Sequence, residues 1–186
     1  MRVAANAIVL NDSAGGIIPD TPLFAMVLGH DLGYSMSGIK WESREAVNHT
    51  YLGKKVLERW AKLFFPEALE YISRLPGSRY EVLEGMKEST DILPAVIKLA
   101  DCLDYFHHDR VDGLPPPGDT GDYYYLAKQV VDYSLSYDPK TIRYEVKIEE
   151  GADDWHARVE SAYPEVWELA RTFTNQLGLV FEFIQM

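Results

Sequence analysis

A series of short helical segments, separated by glycine or proline residues, constrains the fold of this chain more than any other feature of its sequence. Between Val47 and Leu63, apolar side chains recur at the spacing of one face of an α-helix. Gly15, Gly16 and Pro66 stand where such runs stop, because neither residue type continues a helix easily. The first part of the chain therefore predicts a series of helices joined by turns.

The pattern changes in the C-terminal third. Residues 133–137 and 142–148 alternate between apolar and polar side chains, and Asp138–Lys140 provides a turn between them, which predicts an antiparallel β-hairpin. A helix over residues 154–176 and a strand over residues 179–184, joining the hairpin, are predicted to follow. We therefore expect a mainly α protein, a helical bundle with a small antiparallel β-sheet (hairpin plus C-terminal strand) in the C-terminal third.

The length of 186 residues predicts a single domain over 1–186, with a helical core at 1–111. A helix–hairpin–helix–strand extension at 112–186 is expected to pack on that core. Cys102 is the only cysteine, so no intramolecular disulfide can form, which fits a reducing compartment. The first ten residues lack the apolar centre of a signal peptide, and no stretch approaches the roughly 20 apolar residues of a membrane span. We expect a cytoplasmic protein.

The formal net charge of -11 limits the partners of the chain. A strongly acidic surface repels nucleic acid backbones and anionic lipid, so we expect neither a nucleic acid polymer nor a membrane as a partner. A small phosphorylated substrate would need a local positive charge, and a bound divalent metal is one way to supply it. The exposed edge of a small sheet also offers a route to a homodimer.

His30, Asp31 and Asp101 stand out because they follow or interrupt strongly apolar segments. A buried imidazole or carboxylate costs free energy unless a partner compensates it, and one divalent metal would satisfy all three residues together. The alternative is that each residue is satisfied separately. Asp101 would then cap a neighbouring helix or pair with Arg110, and His30 would be an ordinary core histidine. Spacing alone leaves both interpretations open.

Three segments, taken in order, resemble the HD superfamily of metal-dependent phosphohydrolases. Residues 28–34 carry a His-Asp pair after an apolar helix, residues 49–53 carry a histidine followed four positions later by glycine, and residues 97–104 carry an Ala-Asp pair on another helix. The resemblance covers roughly residues 1–110. It implies an HD-domain-like helical bundle that cleaves a phosphate ester or a nucleotide with a metal-activated water.

The resemblance also implies roles for individual residues. His30, Asp31 and Asp101 would hold a divalent metal (Mn, Fe, Zn, Ni, Co or Mg), and His49 would be a further metal ligand. Asp31 would in addition act as a catalytic residue by orienting the attacking water. Glu42 is a second catalytic candidate, as a general acid or base in the segment that follows the His-Asp pair.

Two cationic side chains are candidates for binding the substrate phosphate. Arg110 has a planar guanidinium that matches phosphate oxygens, and Lys54 provides a second positive charge. The alternative for each is an ordinary solvated position on a helix. His107 and His108 precede Arg110, and a helix continuing past Asp101 would place His108 on the same side as that carboxylate.

One part of the family pattern has no counterpart in this sequence. The family places another histidine one turn before an Arg-Val-Ala-like segment, and Arg2–Ala7 resembles that segment with nothing in front of it. Either the natural chain begins upstream, or the ligand is lost and the site is altered. The second case predicts a catalytically impaired HD-like module that binds a nucleotide or a protein partner. A chance His-Asp pair would leave a plain helical interaction protein.

Overall fold

A computed structural model describes residues 2–30, 32, 49–75, 77–112 and 123–186. Within these residues the chain forms nine α-helices and one three-stranded sheet, so the prediction of a mainly α protein with a small C-terminal sheet is confirmed. The helices are α1 (Arg2–Ser13), α2 (Asp20–Gly29), α3 (His49–Phe64), α4 (Leu69–Ser73), α5 (Arg79–Glu88), α6 (Leu93–Asp104), α7 (Tyr123–Lys128), α8 (Trp155–Ala162) and α9 (Pro164–Leu177). The strands are β1 (Val130–Asp138), β2 (Thr141–Ile148) and β3 (Val180–Gln185), and 3₁₀ turns cover Pro66–Ala68 and His108–Arg110.

Local sequence signals account for several turns and helix ends. The Ser78 hydroxyl accepts a hydrogen bond from the Glu81 backbone N–H at 3.2 Å, and the Glu81 carboxylate accepts one from the Ser78 N–H at 2.9 Å, which starts α5. Gly178 ends α9 in the left-handed region, with φ at 69°. Between α1 and α2, the Asn11 side chain bonds both the N–H and the carbonyl of Ile18, at 2.9 and 2.8 Å.

Helix α6 is the centre of the helical part. It packs against α1, α5 and α9, and nine of its twelve residues are buried, so the backbone that carries Asp101 is held on several sides. The buried Tyr144 of β2 donates its hydroxyl hydrogen to the Leu103 carbonyl oxygen at 2.7 Å. This bond joins the sheet directly to α6.

The predicted continuation of this helix as far as His108 is wrong. Helix α6 ends at Asp104, and the Tyr105 N–H bonds the Cys102 carbonyl in a tightened last turn. His107 then adopts an extended conformation with ψ at 140°, after which a separate 3₁₀ turn begins. The two histidines therefore do not share a helix with Asp101.

The sheet confirms the predicted hairpin but corrects the expectation that it is antiparallel throughout. β1 and β2 pair antiparallel, with Asp138 opposite Thr141 at the turn. β3 runs parallel to β2, from Val180 opposite Thr141 to Gln185 opposite Val146. Helices α8 and α9 carry the chain back to the start of β2, and such a crossover is what places two strands side by side in one direction. β1 and β3 are the edge strands, and the homodimer stays a prediction.

The single helix predicted over residues 154–176 is also corrected. Two helices, α8 and α9, meet at Tyr163, whose φ of -135° and ψ of 54° are not helical. Pro164 is the physical cause, because proline disfavours the helical conformation in the residue before it and has no N–H to donate.

The helical part and the C-terminal part share one hydrophobic core. Leu99 and Leu103 of α6 belong to the same buried cluster as Val146 of β2, Trp155 of α8 and Phe173 of α9. The division into a core and an extension stays a prediction. Among the described helices, none is both long and apolar enough to cross a membrane.

Candidate metal centre

Two of the predicted metal ligands lie together in the fold. His30 follows the last residue of α2, and Asp101 lies in the last turn of α6. Nε2 of His30 is 3.4 Å from Oδ1 of Asp101, and the two side chains are only 12% and 22% exposed. The fold therefore brings together an imidazole and a carboxylate that are far apart in the sequence.

The second nitrogen of His30 restricts the protonation of the ring. Nδ1 lies 2.6 Å from the Val27 carbonyl oxygen. A carbonyl oxygen only accepts hydrogen bonds, so Nδ1 carries a proton. Nε2 then either carries a second proton, which pairs it with Asp101, or presents a lone pair toward a cation that lies between it and the carboxylate.

The spacing fits a shared metal ion. Two ligand atoms at about 2.1 Å from one ion lie roughly 3.0–3.4 Å apart for bond angles between octahedral and tetrahedral. The separation of His30 Nε2 from Asp101 Oδ1 is 3.4 Å. A hydrogen bond from the other ring nitrogen to a backbone carbonyl is also what commonly orients a metal-binding histidine. The residues present therefore fit a divalent metal.

Asp101 also has cationic partners within the protein. Nη2 of Arg110 is 3.1 Å from Oδ1, and Nζ of Lys98 is 3.7 Å from Oδ2. Burial raises the pKa of Asp101, but the hydrogen bond with His30 and the charges of Lys98 and Arg110 outweigh it and hold that pKa well below its usual range. Asp101 is thus ionised, and the pairing with Arg110 that the sequence allowed as an alternative is present.

A buried carboxylate, Asp104, organises the residues around this centre. It accepts hydrogen bonds from Nε of Arg110 at 2.7 Å, from Nε of Arg2 at 2.7 Å and from the Tyr133 hydroxyl at 2.8 Å. Burial and the Asp104 charge raise the pKa of Tyr133, so this hydroxyl keeps its proton. Asp104 therefore holds the guanidinium of Arg110 next to Asp101.

A second group of potential ligands lies just after α6. One ligand atom each from His107, His108 and Asp109 lies within 4.8 Å of the others, so this group could hold a metal ion. Burial, together with the charges of Arg2 and His108, lowers the pKa of His107 and favours its neutral form. Both histidines stand out in the sequence, but their grouping with Asp109 does not, because consecutive residues of a regular helix point in different directions.

The remaining predicted site residues are located only in part. Asp31 and Glu42 lie outside the described residues. His49 is the first residue of α3, and its side chain lies outside what the structure describes. Lys54 donates a hydrogen bond to the carbonyl oxygen of Ser73 at the end of α4. Their functional roles stay predictions.

Neither Asp104 nor Arg2 was among the predicted site residues. Asp104 lies three residues after Asp101 on the same helix, so a shared face was a usable signal. Arg2 offered no such signal, since its hydrogen bond with Asp104 joins residues 102 positions apart.

Comparisons of this chain with protein-family models, with curated proteins and with solved structures find no match.

Proposed function

We propose that this chain is a metal-dependent phosphohydrolase of the HD type, which acts on a phosphate ester or a nucleotide. The observation that carries the proposal is the 3.4 Å separation of His30 Nε2 from Asp101 Oδ1. The two residues come from two of the three segments that resemble the HD superfamily, and a chance resemblance would not require them to meet. The net charge of -11 favours a small phosphorylated substrate over a nucleic acid polymer or a membrane.

In this proposal His30, Asp31 and Asp101 hold a divalent metal, and His49 is a further candidate ligand. A set of imidazole and carboxylate ligands suits Mn, Fe, Zn, Ni or Co, and Mg stays a candidate. When bound, the ion would supply Lewis acidity for the attack of water on phosphorus and would offset phosphate charge. Asp101 contributes an ionised ligand, since its pKa is held below its usual range.

Arg110 is the proposed phosphate-binding residue. Its Nε is held by Asp104 at 2.7 Å, while its Nη2 contacts Asp101 at 3.1 Å. A phosphate oxygen that reaches Nη2 would replace Asp101 as the acceptor, and the bond to Asp104 would keep the guanidinium in place. Asp104 is therefore a positioning residue in this proposal, and Lys54 stays a separate candidate for phosphate binding.

A non-catalytic HD-like module is the second candidate, and the charges around Asp101 favour it. Lys98, Arg110 and, when protonated, His30 surround this carboxylate and satisfy it without a metal. The same cations could bind the phosphates of a nucleotide without cleaving them.

Metal content and hydrolysis, measured on one preparation, separate the two candidates. Tag-free protein purified without chelator is compared with His30→Ala and Asp101→Asn, and His156→Gln controls for the loss of a histidine. The proposed hydrolase cleaves p-nitrophenyl phosphate or a nucleotide, and both the hydrolysis and the metal that supports it are lost in the first two variants but not in the control.

Two other results would count against the hydrolase. Nucleotide binding without hydrolysis, unchanged by chelator, would support the non-catalytic module instead. A chain that neither hydrolyses these substrates nor binds nucleotide would refute the hydrolase and the nucleotide-binding form of the module.

A further inference from the structure

We infer that His107, His108 and Asp109 form a second divalent-metal site, separate from His30 and Asp101 and selective for ions such as Zn²⁺ or Co²⁺. The three residues lie in and just before the 3₁₀ turn that follows α6, and their ligand atoms lie within 4.8 Å of one another. The inference stands on this geometry alone and does not depend on the proposed hydrolase.

The ring of His108 is held in the orientation that a metal ligand needs. Its Nδ1 is 2.9 Å from the Val130 carbonyl oxygen, so Nδ1 carries the proton and donates it. Its Nε2 is 2.9 Å from Oδ1 of Asp109. Nε2 therefore faces the carboxylate, and either a shared proton or a metal ion would join the two groups.

His107 distinguishes a metal ion from a proton. Its Nδ1 accepts a hydrogen bond from the Asp109 backbone N–H at 3.2 Å, so this nitrogen carries a lone pair. The same Nδ1 is 3.6 Å from Oδ2 of Asp109, and the ring stacks on that of His108 with centroids 4.3 Å apart. A proton shared by His108 and Asp109 makes no use of this third group. A metal ion would take the Nδ1 lone pair in place of the Asp109 N–H and so bind a ligand atom from each residue.

The choice of metal follows from the ligand atoms. Two imidazole nitrogens and one carboxylate oxygen suit zinc, cobalt or nickel, while magnesium and calcium prefer sites built of oxygen atoms. Three protein ligands also leave a bound ion at least one position for water.

Arg2 is the group that competes with the metal. Its Nη1 donates to Asp109, and its Nε donates to Asp104 at 2.7 Å. A metal ion that takes Asp109 displaces only the first of these contacts. The second keeps α1 attached to α6, so metal binding at this site does not require the helices to separate.

The experiment is a zinc titration of the chelator-treated full chain by isothermal calorimetry, in buffer with excess Mg²⁺. Asp109→Asn and His108→Ala are expected to weaken zinc binding at this site by at least about tenfold. His30→Ala and His156→Gln should retain it. Asp109→Asn keeps the shape of the side chain, so it decides the test if His108→Ala fails to fold, with circular dichroism as the check on folding.

Unchanged zinc binding in Asp109→Asn overturns the inference. Zinc binding lost only in His30→Ala also overturns it, while leaving the proposed metal centre supported. The reverse pattern, with zinc retained in His30→Ala and lost in Asp109→Asn, supports the second site even if the chain hydrolyses no phosphate ester.

Discussion

Replacing Asp104 with alanine removes one carboxylate that joins three elements of the fold. Arg2 of α1, Arg110 of the 3₁₀ turn and Tyr133 of β1 all donate hydrogen bonds to it, at 2.7 or 2.8 Å. Asp104 itself is 3% exposed, so water does not compete for its oxygens. We expect the free energy of unfolding to fall in this variant, and the exposure of the three donors determines by how much.

Each hydrogen bond to a charged acceptor contributes about 1.5–3 kcal/mol, but a simple sum overestimates the loss. The Arg2 and Arg110 side chains are 35% and 28% exposed and can turn toward water, which recovers part of the free energy. The Tyr133 hydroxyl accepts a hydrogen bond from the Asn6 side chain and keeps it in this variant. It loses Asp104, the acceptor of its own hydrogen, in a partly buried position. We expect a loss of about 2–4 kcal/mol, slightly below the roughly 3–5 kcal/mol for breaking a fully buried pair.

Urea unfolding followed by circular dichroism measures this change. The control is Glu160→Ala, which removes a carboxylate paired with Arg171 at 2.6 Å between two exposed side chains. Such surface pairs contribute at most about 1 kcal/mol. A loss in Asp104→Ala no larger than that in Glu160→Ala, at an unchanged dependence on urea concentration, would refute the stabilising role of Asp104.

Three further predictions test other parts of the fold. Gly178→Ala places a Cβ on a residue whose φ is 69°, so the free energy of unfolding measured in urea should fall by about 1 kcal/mol. An unchanged free energy would contradict the left-handed cap. Tyr144→Phe removes the buried hydroxyl that donates to the Leu103 carbonyl, and the same assay should show the free energy of unfolding to fall by about 1–2 kcal/mol. An unchanged free energy would mean that this hydrogen bond does not stabilise the contact between β2 and α6. Burial lowers the pKa of His156, which stacks on Phe183, so the unfolded chain takes up this proton more readily than the folded one. The free energy of unfolding should therefore fall as the pH drops below the ordinary histidine pKa of 6.5. His156→Gln should reduce this dependence on pH, and an equal dependence in the variant would contradict the prediction.

The helices could be predicted because the signals that start and stop them are local. The capping box at Ser78 and the glycine at position 178 act within one turn of the chain and need no tertiary contact. The proximity of His30 and Asp101 could be predicted for a different reason. Two polar groups in apolar segments are compensated most easily when they share a partner, and the fold does bring them together.

The remaining features depend on contacts that a local pattern does not contain. An alternating strand looks the same beside a parallel or an antiparallel neighbour, so residues 179–184 did not indicate their direction. No glycine or proline marks the end of α6 at Asp104. The position of Arg110 depends on Asp104, which in turn is held by Arg2 from the other end of the helical part. Asp31 and Glu42 lie outside the described residues and stay predictions.

The packing of α1 against α6 also sets an order of events while the chain is being synthesised. Among the described helices, α6 is the one that α1 contacts most extensively, yet α2 to α5 are made in between. A helix of twelve residues is only marginally stable alone in water. The surface of α1 that α6 covers therefore stays without its partner on the nascent chain until α6 has left the ribosome.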